Sequence, residues 1–166
     1  MQNILDIGRE SVDVMHGKYL TFLVADVGYG IEISYVVEII SVQEITMVPH
    51  THNYVKGIIN LRGTVVPVVD MGLRFDQGEI EYTEKTCIIV LNMDDMSVGI
   101  IVDGVQDVSD IEEEGILDPP KITGSPVRNY FIKAVGVVGD EIKQLIDVHK
   151  VFEVQNINLK AVGNGV

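Results

Sequence analysis

The sequence predicts a mostly β chain built from two similar five-stranded barrels. Three observations predict it. Short runs rich in Val and Ile, bounded by Gly, Pro, Asn and Asp, recur along the 166 residues. Charged residues make up only 22% of the chain, which leaves little material for solvated helix faces. The chain also aligns with itself. Gly30 to Ile39, GIEISYVVEI, matches Gly99 to Val108, GIIVDGVQDV, at an offset of 69, with Glu38 falling on Asp107. Val55 to Ile58 matches Ile132 to Val135, and Val68 to Met71 matches Leu145 to Val148, both at an offset of 77. The larger second offset places an insertion in the second copy, in the acidic and Pro-rich stretch Ser109 to Val127. Five short, twisted strands per copy close naturally into a small barrel, which removes exposed edges.

In chain order, residues 1–17 lack any period and read as a flexible arm. Tyr19 to Ala25 and Tyr29 to Ser34 are expected to form a hairpin over Val27-Gly28, with one helical turn after it over Tyr35 to Ile40 capped by Ser34. Glu44 to Val48 adds a strand that Pro49 ends. Val55 to Asn60 and Thr64 to Asp70 are two β-branched runs joined by Leu61-Arg62-Gly63, where Gly supplies the positive φ of a tight turn. In the second copy Cys87 to Met93 and Ser97 to Asp103 form a hairpin over Asp94-Asp95. Val105 to Val108 repeats the helical turn, and Phe131 to Val138 with Glu141 to Val148 closes the copy. The expected division is one domain over 18–154, with subdomains at about 18–80 and 81–150 and a tail over 155–166. Residues 149–158 read as a short terminal helix packing on Val151, Phe152, Val154 and Ile157.

A formal charge of −13 repels nucleic acid and anionic membrane alike. The start Met-Gln-Asn carries no basic segment and apolar run of a signal peptide, and no stretch reaches membrane-spanning length, so a cytoplasmic protein is expected. The single Cys87 lies in the apolar run TCIIVL and reads as a buried small hydrophobe. His50 and His52 lack a third ligand at metal-site spacing, and Gly28-Tyr29-Gly30 leads into a strand instead of a phosphate-binding helix; neither a metal nor a cofactor is expected. Asp70, Asp103 and Asp147 end strands at comparable points of the repeat and could support acid and base chemistry in a small acidic hydrolase. Duplicated strand ends supply like environments, whereas a catalytic pair needs unlike ones. Arg62, at a hairpin tip, is either a solvated turn residue or a group placed to meet a partner's carboxylate or backbone carbonyls.

From Lys18 to Val154 the sequence resembles the CheW family of bacterial chemotaxis coupling proteins. The motifs that carry the resemblance are YLTFLV, YGIEISYVVEII, ITMVPHTHNYVKGIINLRGTVVPVVDM, VGIIVDGVQDV, ILDPP and QLIDVHKVF, in order and spacing. The resemblance implies two five-stranded, SH3-like barrels related by a pseudo-two-fold, with no catalytic role. It implies an adaptor between the regulatory domain of the CheA histidine kinase and the cytoplasmic tip of methyl-accepting chemoreceptors. Val36, Glu38, Gly57 and Arg62 match positions that the family associates with receptor coupling, and Gly99 and Val105 match their counterparts in the second barrel. Kinase contact is implied at the outer apolar ends of the barrels, with no residue assigned. The chain departs from the family at His52, where a second Pro is usual, at Gly72, where Arg is common, and at Ala134, where Gly is frequent. The same domain occurs in CheA and CheV fused to a kinase core or a receiver, and neither segment is visible here. A free-standing coupler, monomeric when unbound, is expected.

Overall fold

The structure, a computed structural model, describes residues 17–124 and 126–153. The expected arm, apart from Gly17, and the expected tail lie outside the described residues. Eleven strands are formed: β1 (Lys18–Val24), β2 (Val27–Glu32), β3 (Val36–Ser41), β4 (Val55–Leu61), β5 (Thr64–Asp70), β6 (Cys87–Met93), β7 (Met96–Val102), β8 (Gly104–Asp110), β9 (Ile116–Leu117), β10 (Ile132–Val138) and β11 (Glu141–Ile146). Three short α-helices follow strands or precede them, α1 (Met71–Arg74), α2 (Pro126–Phe131) and α3 (Val148–Val151), with single 3-10 turns at Ile33–Tyr35 and Glu113–Gly115.

The strands build a six-stranded sheet in the order β8-β1-β2-β11-β10-β9 and a five-stranded sheet in the order β3-β6-β7-β5-β4. Replacing each strand by its counterpart in the repeat (β1 by β6, β2 by β7, β3 by β8, β4 by β10, β5 by β11) turns the first five strands of one sheet into the order of the other. The duplication seen in sequence is therefore a duplication of topology. The halves are nevertheless exchanged. The β1–β2 hairpin joins the sheet of the second half, and β6–β7 joins that of the first, so a boundary near residue 80 separates the copies in sequence but not the sheets in space. Parallel pairings make the exchange: Val68 beside Gly99 and Val69 beside Ile100 in one sheet, Gln144 beside Tyr29 and Leu145 beside Gly30 in the other. These pairings cover a second edge of each hairpin, which contiguity along the chain would leave exposed.

By hydrogen-bond order both sheets are open, where closed barrels were expected. The seam of the five-stranded sheet is instead crossed by the chain leaving β3. Thr46 and Ile58 exchange two backbone hydrogen bonds of 2.8 Å each, and Gln43 Nε2 donates to the Asn60 carbonyl at 3.3 Å. Glu44 to Val48, expected as a strand, contributes only this bridge. Its counterpart is β9 pairing with β10, Leu117 beside Val135. The insertion in the second copy thus falls after Leu117, and it carries α2.

Local chemistry accounts for the remaining differences. The first hairpin turns on Ala25-Asp26, both at positive φ (50° and 64°), two residues before the expected Val27-Gly28. Asp94-Asp95 (50° and 66°) and Arg62-Gly63 (52° and 86°) make the same two-residue turn, whose twist matches that of the flanking strands. Residues 36–41 and 104–110 are strands, not helical turns: Val36, Val37, Ile39 and Ile40 are β-branched and find a ladder along β6. The equivalent edge strands β3 and β8 carry a bulge at the same point of the repeat, at Val37 and Gln106, which blunts those edges. The terminal helix is one turn, with Val151 and Phe152 buried; Val154 and Ile157 lie outside the described residues.

One apolar core is shared by both sheets. Phe22 and Ile31 from one sheet and Ile88, Leu91 and Ile100 from the other belong to it and are fully buried. A satellite cluster of Tyr19, Ile111 and Leu145 lies under the insertion-bearing end.

Candidate partner-binding site

The receptor-coupling expectation centres on Arg62 and Glu38, and the fold brings these two together. Arg62 takes φ +52° at the β4–β5 tip, and the turn is tied by the Gly63 N–H donating to Asn60 Oδ1 at 2.8 Å. Glu38 follows the bulge of β3. The Arg62 guanidinium pairs with the Glu38 carboxylate across the open seam of the sheet, with the Arg62 side chain 69% exposed. The hydrogen bond and the opposite charge hold the guanidinium more firmly protonated than usual. Val36 stands two residues before Glu38, paired with Leu91. Val37 and Ile39, on the same strand, are exposed apolar side chains.

The other expected positions have different surroundings. Val105 is the repeat counterpart of Val36 and sits beside the matching bulge, paired with Phe22 at the edge of the six-stranded sheet. Gly57 and Gly99 are buried. A Cβ on Gly57, at φ +141°, would lie 2.0 Å from the Thr46 carbonyl oxygen, and one on Gly99 would lie 2.9 Å from Ile88 Cγ2. Both glycines permit close backbone approach, so their contribution to any contact runs through the fold. At Ala134, the counterpart of Gly57, the backbone is not at positive φ and a Cβ fits. Gly72 also has a local reason. A Cβ there would meet the Gly78 carbonyl oxygen at 2.2 Å, so no side chain fits that position. His52 stacks on Tyr54 at 5.1 Å between ring centroids.

The three strand-end carboxylates serve separate backbones. Asp70 is fully buried, accepts from Leu73 N at 3.0 Å and Ile80 N at 3.1 Å, and caps α1; burial raises its pKa against the backbone donors that lower it. Asp147 caps α3 through His149 N at 3.1 Å, and Asp103 accepts from Ala25 N at 2.6 Å. Among the described residues no group of three or more His, Cys, Asp or Glu side chains could hold a metal ion. Cys87 is half-buried, and burial pushes its thiol pKa up, away from nucleophilic reactivity.

Arg74 carries no periodic or spacing signal in the sequence, yet it joins the two halves. Its guanidinium lies 4.3 Å from the Tyr54 ring centroid and 4.5 Å from that of Phe131, while Nε donates to the Val151 carbonyl at 3.0 Å and Nη2 to that of Lys150 at 3.3 Å. The basic side chain thus satisfies the last carbonyls of α3 from α1, its counterpart in the repeat. Burial holds its pKa below the usual arginine value.

Duplicated, strand-exchanged sheets around a shared core, with an exposed ion pair on one seam, define a two-sheet β domain. The chain belongs to the CheW-like domain family, whose model matches residues 18–156. It is 31% identical to the chemotaxis protein CheW of Klebsiella aerogenes over 159 residues, covering 96% of this chain and 95% of that one. Against the chemotaxis protein CheW of Bacillus subtilis the identity is 38% over 104 residues, covering 63% and 67%; against the protein FrzA of Myxococcus xanthus it is 27% over 125 residues, covering 75% and 77%. The crystal structure of the scaffolding protein TtCheW from Thermoanaerobacter tengcongensis is similar at a TM-score of 0.77 and 33% identity, covering 84% of this chain and 94% of that one. No helix among the described residues is long and apolar enough to cross a membrane.

Proposed function

We propose that this chain is a non-catalytic coupling adaptor of bacterial chemotaxis, joining the regulatory domain of the CheA histidine kinase to the cytoplasmic tip of methyl-accepting chemoreceptors. The observation that carries the reading is the family match along residues 18–156, together with near full-length similarity to a protein named for chemotaxis. The receptor site is the seam of the five-stranded sheet, with Arg62 and Glu38 offering charge and Val36, Val37 and Ile39 an apolar flank to a helical hairpin; Val105 marks the equivalent edge of the other sheet. Gly57 and Gly99 act there by shaping the strands. The kinase meets the outer apolar ends, where Leu117, Ile122 and Ile142 are exposed beside the insertion.

The protein acts in the cytoplasm and is monomeric when free. Its charge of −13 disfavours self-pairing, and a homologous kinase domain with better charge and shape complementarity competes successfully. Individual contacts are micromolar, on the order of 8 kcal/mol, as suits an array assembled from many weak bonds. Analytical ultracentrifugation of the chain alone and then with the kinase regulatory domain tests this. A tight dimer alone, or no complex in the mixture, would sink the coupling model. Affinity purification from the native cytoplasm identifies the kinase and receptors served.

A further inference from the structure

The equivalent edge strands β3 and β8 are each met beside their bulge by a basic side chain, and the two contacts differ. On β3 the contact is at the surface, where Arg62 pairs with Glu38. On β8 it comes from beneath. Lys143 of β11 donates to Oε1 of Gln106, the bulge residue, at 2.9 Å, and its Nζ lies 2.9 Å from Glu141 Oε2. The Lys143 side chain is 8% exposed, against 69% for Arg62. β2 and β1 stand between β11 and β8 in the sheet, so the lysine ties the first strand of this row to the fourth. It passes over Gly28 of β2, where a Cβ would lie 3.0 Å from both its Cδ and its Nζ. The glycine leaves room for the crossing.

The repeat supplies an internal comparison. By the offsets of 77 and 69, Lys143 corresponds to Val66 and Gly28 to Ser97. Val66 is fully buried, so the first copy fills this place with an apolar side chain. Taking an ammonium out of water is costly, and a paired buried charge adds little to stability over a well-packed apolar residue. Packing therefore does not account for Lys143; what the lysine adds is its hold on Gln106. The bulge is pinned at a second point by Thr21, itself 1% exposed, whose Oγ1 donates to the Asp107 carbonyl at 3.1 Å and accepts from Asp107 N at 3.2 Å. Val105 stands immediately before the bulge, paired with Phe22. A bulge sets the direction of the side chains beside it.

We propose that Lys143 is a positioning residue for partner contact: through Gln106 it fixes the bulge of β8 and so sets Val105 for engagement by a receptor tip. The inference rests on the coupling reading and deepens it, adding to the contact edge a buried group that acts from beneath. It also separates the two pseudo-equivalent edges. The β3 edge presents its basic group to the partner, whereas the β8 edge keeps its own inside and presents Val105.

The test titrates the intact protein with a coiled-coil fragment of a chemoreceptor tip and, separately, with the kinase regulatory domain. Lys143→Val/Gly28→Ser installs the first copy's pair, and Gln106→Leu removes the acceptor at an exposed position, so Gln106→Leu decides the case should the double variant unfold. Both should exchange the amides of residues 106–108 about tenfold faster than the wild type. Both should bind the receptor fragment about fivefold more weakly, as for one lost hydrogen bond, and the kinase domain unchanged. Gln106→Glu keeps an acceptor for the ammonium and should bind the fragment like the wild type. Arg62→Ala is measured alongside. Wild-type receptor affinity in Gln106→Leu, with Arg62→Ala weakened, overturns this proposal and leaves the coupling reading standing. Equal losses of receptor and kinase binding assign Lys143 to the fold alone and also overturn it. A wild-type chain that does not bind the fragment overturns the coupling reading, and this proposal with it.

Discussion

Replacing Gly57 by Ala tests whether the seam of the five-stranded sheet is held by backbone approach. The added Cβ would lie 2.0 Å from the Thr46 carbonyl oxygen and 2.7 Å from its carbon, and the residue would keep φ +141°. Backbone cannot yield as a side-chain tip does, so the Thr46–Ile58 bridge has to open. Two hydrogen bonds of 2.8 Å are lost with it, worth about 1 kcal/mol each. Holding an L side chain at such a φ costs about 1–3 kcal/mol more. The expected destabilisation is about 3–5 kcal/mol, a large part of the 5–15 kcal/mol typical of a domain. Gly63→Ala is the control, since that glycine also has positive φ (+86°) but nothing within 4 Å of its Cβ, and its expected cost is about 1 kcal/mol. Urea denaturation of both variants gives the two values. Equal, mild effects would refute the close-approach argument. Receptor binding lost by Gly57→Ala but recovered at low temperature, where the variant is folded, would assign Gly57 to the fold.

Arg62→Ala should weaken capture of a receptor tip about tenfold or more while moving Tm by no more than about 2 °C, because exposed ion pairs contribute little to folding; equal binding, or marked unfolding, would remove Arg62 from the site. Arg74→Met should destabilise the chain by about 2–4 kcal/mol through lost ring contacts and orphaned α3 carbonyls, and Arg74→Lys should not restore it; a loss under about 0.5 kcal/mol in denaturant melts contradicts this. Burial raises the Asp70 pKa above its unfolded value near 3.8. Asp70 therefore stabilises the fold most below that value and loses the contribution as pH rises through the folded pKa. The penalty of Asp70→Asn should accordingly be larger near pH 4 than near pH 7, and an unchanged or reversed difference would refute the assignment.

Much of the fold was legible because it is local. The hairpins over Arg62-Gly63 and Asp94-Asp95 follow from β-branched runs broken by residues that tolerate positive φ, and the duplication follows from aligned apolar positions. Partner choice was not legible. Nothing in β2 or β7 states that each pairs in parallel with a strand of the other copy, because a pleated strand offers the same backbone groups on either edge. The 36–41 segment was misread for a related reason: a turn and an edge strand share the same few residues, and only the ladder along β6 decides between them. At the site, Glu38 and Arg62 were both named from sequence, but not that they pair with each other. Arg74 was missed because its partners are two carbonyls and two rings from distant segments, which leave no mark at fixed spacing.

The ion pair across the seam constrains how the adaptor would engage a receptor. Glu38 and Arg62 meet from opposite ends of one open sheet, so their bond does two things: it draws the edges together and it occupies the groups proposed for partner contact. The guanidinium has five donors, and Glu38 occupies only part of that fork, so a receptor carboxylate or carbonyl can be accepted without breaking the existing pair. Lysine at position 62 has the charge but not the planar fork. Arg62→Lys should therefore keep the seam intact and yet bind receptor nearly as poorly as Arg62→Ala, whereas full activity in the Lys variant would mean that charge alone at the hairpin tip is sufficient. Glu38→Gln separates the two roles from the other side. It retains a hydrogen-bond acceptor for Arg62 but removes the charge, so the proposed contact should survive it better than it survives any change at Arg62, measured as the relative affinities of the three variants for the same receptor fragment.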